Sequence, residues 1–337
     1  MKSDTITLKG IEFSVWTPED ILKSSVVEVT EKRTLEKGIP IENGLRDPKL
    51  GPINGKCVTC GKPKGKCQGH FGHIHLSEPV FHISWVSNVI QWLKCVCFHC
   101  GTSTIKESVN IEEISRPRNK LMNKLTKHLV SKCTECGKKQ PKYVWNKERQ
   151  MLLKDNEVYD TRAILRHLMH LNTEWLDKLK VSHPKDMLLT VIPVPPHTVR
   201  PPIMSGSSIR GEDDLTYRLL QIIRSNAKLI KMKDNNRPDH IISDARESLQ
   251  LAVSGYINHK KLGNARKRSS KREYNSIASR LTGKEGRARG NLMGKRCDFT
   301  ARSVITGDDN LGMHQVGVPI SVADKLTVPV KVTAYNK

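Results

Sequence analysis

The sequence is poor in aromatic residues and in long apolar segments. Aromatic residues make up 5% of the 337 residues and hydrophobic residues 37%, which is little for a single hydrophobic globule of this length. No segment approaches the ~20 apolar residues that span a bilayer. The first ten residues, MKSDTITLKG, also lack the apolar run of a signal peptide. We therefore exclude a membrane protein and expect an intracellular chain made of several modules.

Acidic residues are also scarce relative to basic ones. The chain has 34 Asp and Glu against 57 Lys and Arg, a formal net charge of +23. Such a charge attracts polyanions, with an affinity that depends strongly on salt. Nucleic acid is the first partner that this charge predicts. The alternative is a basic scaffold surface, such as that of a ribosomal protein, that other proteins neutralise.

The cysteines are grouped at the spacing of metal ligands. A first group is Cys57-x2-Cys60-x6-Cys67-x2-His70, in which His73 and His75 are alternatives for the fourth position. A second group pairs Cys97-x2-Cys100 with Cys133-x2-Cys136 across a long insertion. Four thiolate or imidazole donors favour tetrahedral zinc, and a complete set of four predicts a structural site with no open position.

Two further cysteines lie outside these pairs. Cys95, two residues before Cys97, is an alternative ligand of the second group, and we expect the isolated Cys297 to be a small core residue. The pairing of most cysteines at ligand spacing argues against a secreted disulfide framework. We expect reduced thiols and two structural zinc ions per chain.

The spacing of apolar residues and the positions of prolines and acidic residues predict a mixed α/β fold with long loops. Helices are expected at 80–93, 111–132, 159–180 and 241–256, and after Glu212–Asp214, whose charges suit a helix N-terminus. We interpret the histidines at 167 and 170, in the third of these helices, as packing or surface residues. The five prolines of 191–202 predict an extended boundary segment. Residues 258–275 read as an exposed basic loop.

Cations are concentrated between Lys260 and Arg302, where fourteen basic residues face only three acidic ones. Few aromatic residues are interleaved among them, so we expect contacts with phosphates and little base stacking. Glycines at 283, 286, 290 and 294 permit close approach to a backbone and hinge motion. A solvated charge run is the alternative interpretation.

Several segments, in this order along the chain, resemble the N-terminal part of the largest subunit of DNA-directed RNA polymerases of eukaryotic, archaeal or large-DNA-virus type. They are CVTCGKPKGKCQGHFGHIHLSEPVFH, CVCFHCG, VIPVPPHTVRPPI, RGEDDLTYRLLQII and GKEGRARGNLMGKRCDFTARSVITGDDNLGMHQVGVPIS. The resemblance implies a zinc-stabilised clamp and selects His70 over His73. It also implies that Cys97 and Cys100 begin the other site, which Cys133 and Cys136 would complete.

The resemblance further implies three regions and their contacts. Residues 1–200 would form the clamp core and clamp head with both zinc sites, and 201–257 the lid loop, with Arg210, and the helices that follow it. Residues 258–337 would include a rudder-like basic loop, a switch region and the start of the next polymerase domain. Template DNA and the RNA–DNA hybrid are the implied ligands. The implied phosphate contacts in the switch region are Lys284, Arg287, Arg289, Lys295, Arg296 and Arg302.

One element of the family is absent from the sequence. Family catalysis depends on an Asp-x-Asp-x-Asp loop that binds Mg2+, and no such triplet occurs here. We expect no catalytic residue in this chain, inactivity in isolation, and Mg2+ only in an enzyme completed by the rest of the largest subunit, the second-largest subunit and other subunits. A split gene, an intein-interrupted exon or a truncation would each explain this.

The compartment would be the nucleus for a cellular eukaryotic member, and the virion or infected cell for a viral one. The alternative function is a stand-alone zinc-stabilised nucleic-acid-binding protein.

Overall fold

The structure is a computed structural model that describes residues 10, 14–53, 55–106, 121–171, 176–177, 182–205, 208–262, 274–328 and 330–337. Contacts divide the chain into two compact units, residues 1–279 and 280–337. Helices and strands are mixed within the larger unit, so the α/β prediction is confirmed. Among the described helices, none combines the length and the apolar character needed to cross a bilayer.

Eight α-helices have both ends within the described residues. They are α1 Pro18–Ser24, α2 Val86–Leu93, α3 Leu121–Leu125, α4 Thr161–Met169, α5 Asp214–Asp234, α6 Asp239–Asn258, α7 Ile277–Leu281 and α8 Ile320–Ala323. The described strands are β1 Ser25–Glu28, β2 Leu35–Glu36, β3 Ile39–Pro40, β4 Phe71–Phe81, β5 Tyr143–Asn146, β6 Met151–Lys154, β7 Glu157–Val158, β8 Leu188–Val194, β9 Ile203–Ser205 and β10 Ser208–Gly211.

A three-stranded sheet in the order β1-β4-β8 organises the larger unit. β1 runs parallel to β4, whereas β8 runs antiparallel to it. Along β4, Gly72 and Ile74 are buried while Phe71, His73 and His75 are less so, because successive side chains of a strand point to opposite faces. The long helices α5 and α6 pack against each other and against β4, and they bury this inner face.

Two hydrophobic cores lie in the larger unit. The first joins α2 and α4 to the β5-β6-β7 meander and includes Phe81, Val89, Leu93, Leu152, Ile164 and Leu168. The second joins the three-stranded sheet to α5 and α6 and includes Ile74, Ile192, Val194, Leu219, Ile222, Leu249 and Val253. β4 contributes to both cores, because its residues Val80 and Phe81 belong to different clusters.

A buried carboxylate ties β4 to α5 and α6. Glu78 is 3% exposed, and it accepts hydrogen bonds from Arg246 at 2.6 and 3.0 Å and pairs with Lys233. Burial opposes the ionised form of Glu78, but the bonds from these two cations hold its pKa below the ordinary value. The network therefore connects β4 to both long helices through charged side chains.

The helix prediction for 80–93 is wrong at its N-terminal end. Val80 and Phe81 pair with Leu189 and Leu188 of β8, and helix α2 starts only at Val86. Phe81 and the apolar residues of α2 belong to one core while Val80 belongs to the other, and their spacing in sequence imitated a single helix. Asp160 and Asp213 occupy the N-cap positions of α4 and α5; Asp213 belongs to the acidic group predicted at a helix N-terminus.

The proline segment 191–202 is extended only in part. Residues up to Val194 lie in the edge strand β8, whose position tolerates the missing amide of Pro193. The chain then turns, and Arg200 is fully buried. Its guanidinium donates to the carbonyls of Pro195 at 2.8 Å and Leu45 at 2.6 Å. The prediction of a uniformly extended segment is therefore wrong beyond Val194.

Candidate metal centres and nucleic-acid interface

Three Cys-x2-Cys-Gly segments fold into the same tight turn. The amide of the first cysteine donates to the carbonyl five residues later, at 2.8, 2.7 and 3.0 Å in the turns that begin at Cys57, Cys97 and Cys133. The glycine amide donates back to the carbonyl of the first cysteine, at 2.8, 3.0 and 3.0 Å. Each glycine has a φ between 67° and 76°, which other residues adopt only with strain. The turn fixes both cysteines of a pair on one side of the backbone.

The first predicted group comes together in space. One ligand atom from each of Cys57, Cys60, Cys67 and His70 lies within 4.8 Å of the others. The Sγ atoms of Cys60 and Cys67 are 3.5 Å apart, and Cys67 Sγ is 3.7 Å from His70 Nε2. Tetrahedral zinc with bonds of about 2.3 Å places its sulfur ligands about 3.8 Å apart, so these four residues can hold it.

His73 and His75 are not part of this cluster. They lie on β4, beyond the loop that carries His70, and they group with Glu28. The chain reverses between Cys67 and His70 at Gly69, which has φ 88° and donates its amide to Cys67 Sγ at 3.3 Å. This turn directs His70 to the thiols.

The second predicted group also comes together, although 32 residues separate its two turns in sequence. Cys97, Cys100, Cys133 and Cys136 have ligand atoms within 4.8 Å of one another. The Sγ atoms of Cys97 and Cys136 are 3.6 Å apart, and those of Cys100 and Cys133 are 3.5 Å apart. These separations match tetrahedral thiolate ligands and are far longer than a disulfide bond.

Two polar residues beside the second cluster were missed by the sequence reasoning. Gln140 donates from Nε2 to Cys97 Sγ at 3.1 Å, while its Oε1 accepts from the amide of Phe98 at 3.0 Å. The hydroxyl of Thr102 lies 3.0 Å from Cys100 Sγ and 3.3 Å from Cys133 Sγ. Donors of this kind orient thiolates and stabilise their charge. A polar residue a few positions after each CxxCG turn was the only available signal.

The turns also favour thiolates at their first cysteine. Burial opposes ionisation of Cys57, but hydrogen bonds from the amides of Cys60 and Thr59 lower its pKa to about 6. The amide of Cys136 is the main cause that lowers the pKa of Cys133 to about 6. Thiolates are the metal-binding form of cysteine, so the first cysteine of each of these two turns is prepared for a cation.

The remaining two cysteines differ in burial. Cys95 is buried next to the second cluster, and burial raises the pKa of its thiol to about 12. It is not a member of that cluster. Cys297 is exposed, so the expectation of a core residue was wrong. It lies in the glycine-rich segment, where too few apolar neighbours are packed to bury a thiol.

The six predicted phosphate contacts of the basic segment all lie in the smaller unit. Lys284, Arg287, Arg289, Lys295, Arg296 and Arg302 are exposed. A π-helical turn at Ala288–Leu292 carries Arg289, and Arg287 donates to Asn291 Oδ1 at 2.9 Å. Across the residues that the structure describes, no salt bridge involves any of the six. Their charges are therefore available to a polyanion.

The predicted lid position lies in the larger unit. Strands β9 and β10 form an antiparallel hairpin, and Arg210 sits where the pairing shifts between Ile209 and Gly211. The base of the hairpin is fixed by Glu212, which accepts from the buried guanidinium of Arg46. Most of the predicted rudder, at 263–273, falls outside the described residues.

Two family models match nearly the whole chain. "RNA polymerase Rpb1, domain 1" matches residues 5–292, and "RNA polymerase Rpb1, domain 2" matches residues 294–337. The chain belongs to the RNA polymerase Rpb1 family. It corresponds to the N-terminal region of the largest RNA polymerase subunit, as the sequence resemblance predicted.

Archaeal members of the Rpb1 family are similar over almost all of this chain. The DNA-directed RNA polymerase subunit Rpo1N of Sulfolobus acidocaldarius is 39% identical over 98% of it, and that of Thermococcus celer is 37% identical over 100%. The same subunit of Methanothermobacter thermautotrophicus is 37% identical over 98%. The chain spans about 40% of the length of each of these relatives. The two Rpb1 domain matches meet at 292–294, within the basic segment.

Proposed function

We propose that this chain forms the clamp of a DNA-directed RNA polymerase and contacts template DNA and the RNA–DNA hybrid during transcription. The observation that carries the proposal is the occurrence, in one Rpb1-family chain, of two four-ligand clusters and a separate set of exposed cations. The clusters would stabilise the body of the clamp, and the cations would hold nucleic acid by its phosphates.

Zinc would have a structural role in both clusters. Each supplies four donors, which fills tetrahedral coordination and leaves no position for substrate. The protein dialysed without chelator should retain two Zn2+ ions per chain, by metal analysis. Cys60→Ser and Cys100→Ser should each remove one ion, whereas Cys95→Ser should remove none. Retention of both ions by either ligand variant would contradict the ligand sets.

The basic segment would bind phosphates irrespective of base sequence. In the assembled polymerase, replacing Arg287, Arg289 and Arg296 together by Ala should weaken DNA binding and reduce the slope of log affinity against log salt by about three, at ~0.9 per lost phosphate contact. The matched control removes the same charge from Lys325, Lys331 and Lys337, which are exposed in the same unit. Equal effects of the two triple variants would indicate only general electrostatic attraction.

Other chains would complete catalysis. The Asp triplet that binds Mg2+ in the family is missing from this sequence, so nucleotidyl transfer would require the rest of the largest subunit together with the second-largest and other subunits. We expect no nucleotide incorporation by this chain alone with Mg2+, and incorporation after reconstitution. Synthesis by the isolated chain would contradict this division of labour.

The alternative is a stand-alone zinc-stabilised nucleic-acid-binding protein. One feature argues for the assembly instead. Large apolar side chains in 280–337 are almost fully exposed, including Val304 at 88%, Ile305 at 94% and Met313 at 108%, and such surfaces normally meet a partner. Purification under native conditions discriminates the two: we expect co-purification with the second-largest subunit, whereas a free chain that binds DNA would favour the alternative.

A further inference from the structure

A third group of ligating side chains lies on the outer face of the β1-β4-β8 sheet. One ligand atom from each of Glu28, His73 and His75 lies within 4.8 Å of the others. His73 and His75 are two residues apart on β4 and therefore point to the same face. Glu28 is the partner of His73 across the parallel β1–β4 pair. The group shares no residue with the two cysteine clusters.

An irregularity in the β1–β4 pairing brings two side chains of β1 to His73. Ser25 pairs with Phe71 and Glu28 with His73, so β1 uses three residues where β4 uses two. As a result, both the Ser25 hydroxyl and the Glu28 carboxylate reach the same imidazole. Such bulges redirect side chains and are common beside functional sites.

Ser25 determines which nitrogen of His73 is available. Both of its contacts are satisfied when the hydroxyl donates to the carbonyl of Val27 at 3.1 Å and its oxygen accepts from the Nδ1–H of His73 at 2.7 Å. The lone pair of that ring is then on Nε2. Ligating histidines characteristically donate their second nitrogen in this way, and burial lowers the pKa of His73, with the neighbouring His75 as a further cause.

The other two members of the group are exposed and have no competing partner. Within the described parts of the chain, neither the Glu28 carboxylate nor the His75 ring nitrogens make a hydrogen bond or ion pair. The His75 ring lies 4.8 Å from the His73 ring, nearly perpendicular to it. On the neighbouring strand β8, the residues paired with His73 and His75 are Pro193 and Val191. Neither carries a charge that would repel a cation.

We propose that Glu28, His73 and His75 form a third metal site, which binds a divalent first-row transition ion such as Zn2+ with water completing its coordination. Two imidazoles and one carboxylate suit such ions better than Mg2+ or Ca2+. Nitrogen and oxygen ligands at about 2.1 Å from a tetrahedral ion lie about 3.4 Å apart. The ligand atoms lie within 4.8 Å of one another, so metal binding would require the exposed side chains of Glu28 and His75 to rotate inward.

The ion would link β1 to β4 across the loop that contains the first cysteine cluster. With three protein ligands on an open surface, it would exchange with solvent more readily than ions in the closed clusters. The site would therefore be filled when zinc is present in the buffer and emptied by dialysis against zinc-free buffer. This behaviour separates it from the two structural ions in one experiment.

The test is a Zn2+ titration of the full chain that already retains its two structural ions. Bound metal is counted by equilibrium dialysis against buffer that contains the added Zn2+. We expect a third ion in the unaltered chain and none beyond two in His75→Ala or Glu28→Gln. The matched controls His240→Ala and Glu157→Gln change exposed residues elsewhere and should bind three. Circular dichroism establishes that each variant is folded.

A second readout identifies the donors. Co2+ added to the zinc-loaded chain should produce ligand-field absorption without a sulfur-to-cobalt charge-transfer band, because the site contains no thiolate. Ser25→Ala should weaken binding by about 10-fold or more, as loss of an orienting partner does. Absence of a third ion at saturating Zn2+, or its retention by both His75→Ala and Glu28→Gln, would overturn the proposal.

Discussion

Gly69 offers a sharp test of how the first cysteine cluster is joined to the body of the protein. It lies between Cys67 and His70 with φ 88°, and a Cβ added there would come within 2.3 Å of Pro196 Cβ and 3.1 Å of Thr198 Oγ1. Gly61 has a similar φ of 68°, but its added Cβ would meet nothing within 4 Å. The two glycines therefore share backbone strain and differ in steric room.

The expected losses differ accordingly. Gly61→Ala should lower the free energy of unfolding by about 1–2 kcal/mol, the cost of a left-handed residue with a side chain. Gly69→Ala adds an overlap with a rigid ring, which costs a further ~1–3 kcal/mol. The additional amount should appear in the first zinc site as an affinity about 5- to 150-fold lower, because the displaced loop carries two of its ligands.

The assay compares both variants by urea unfolding at a fixed zinc concentration and by competition with a chromophoric chelator. Pro196→Gly removes the overlapping Cβ, so it should recover part of the loss in the Gly69→Ala background, with an interaction energy of about 1–3 kcal/mol. Pro196→Ala keeps that atom and should not. If Gly69→Ala and Gly61→Ala lose the same stability, the turn after β8 does not pack on the zinc loop as described.

Three further predictions concern the polar groups Glu78 and Gln140. Glu78→Gln should lower the free energy of unfolding in urea by about 3 kcal/mol, since it leaves two partly buried cations without their anion, whereas Glu247→Gln, whose partner is exposed, should cost under ~1 kcal/mol. The folded pKa of Glu78 lies below its unfolded value of about 4.3. Its contribution to stability is therefore present above that pH and is lost as the pH falls through the folded pKa. The difference in unfolding free energy between the unaltered chain and Glu78→Gln should close in acid, and a constant difference would contradict this. Gln140→Ala should weaken zinc binding at the second cluster about 10- to 100-fold in chelator competition, while Gln91→Ala, which removes a surface hydrogen bond, should leave it unchanged.

Some features of the fold could be read from local sequence because their causes are local. A CxxCG segment forms its turn from its own amides and a glycine of positive φ, so the spacing predicted both clusters. The acidic helix start that includes the N-cap Asp213 could be predicted for the same reason. The helix expected from Val80 was wrong because pairing with β8, more than one hundred residues away, converts Val80 and Phe81 into strand.

The basic segment shows a different limit of prediction from sequence. Its positive charge could be predicted from composition, whereas the six candidate cations came from the resemblance to the largest-subunit family; all six are exposed. Their role in holding template phosphates remains a proposal, because charge fixes the kind of partner and not the geometry of contact. Cys297 was misplaced for a related reason, since burial depends on neighbours that a local segment does not specify.

The sequence by itself determined the family, the ligand types of the two cysteine clusters and the excess of positive charge, because each depends on residue identity and short spacing. Only the tertiary structure decided that Glu78 is neutralised by cations from two helices, that Gln140 and Thr102 support the second cluster, and that Glu28 meets His73 and His75. These contacts join residues that are distant in the chain. Their existence depends on strand register and helix packing, which are set by the burial of the whole core and not by any one segment.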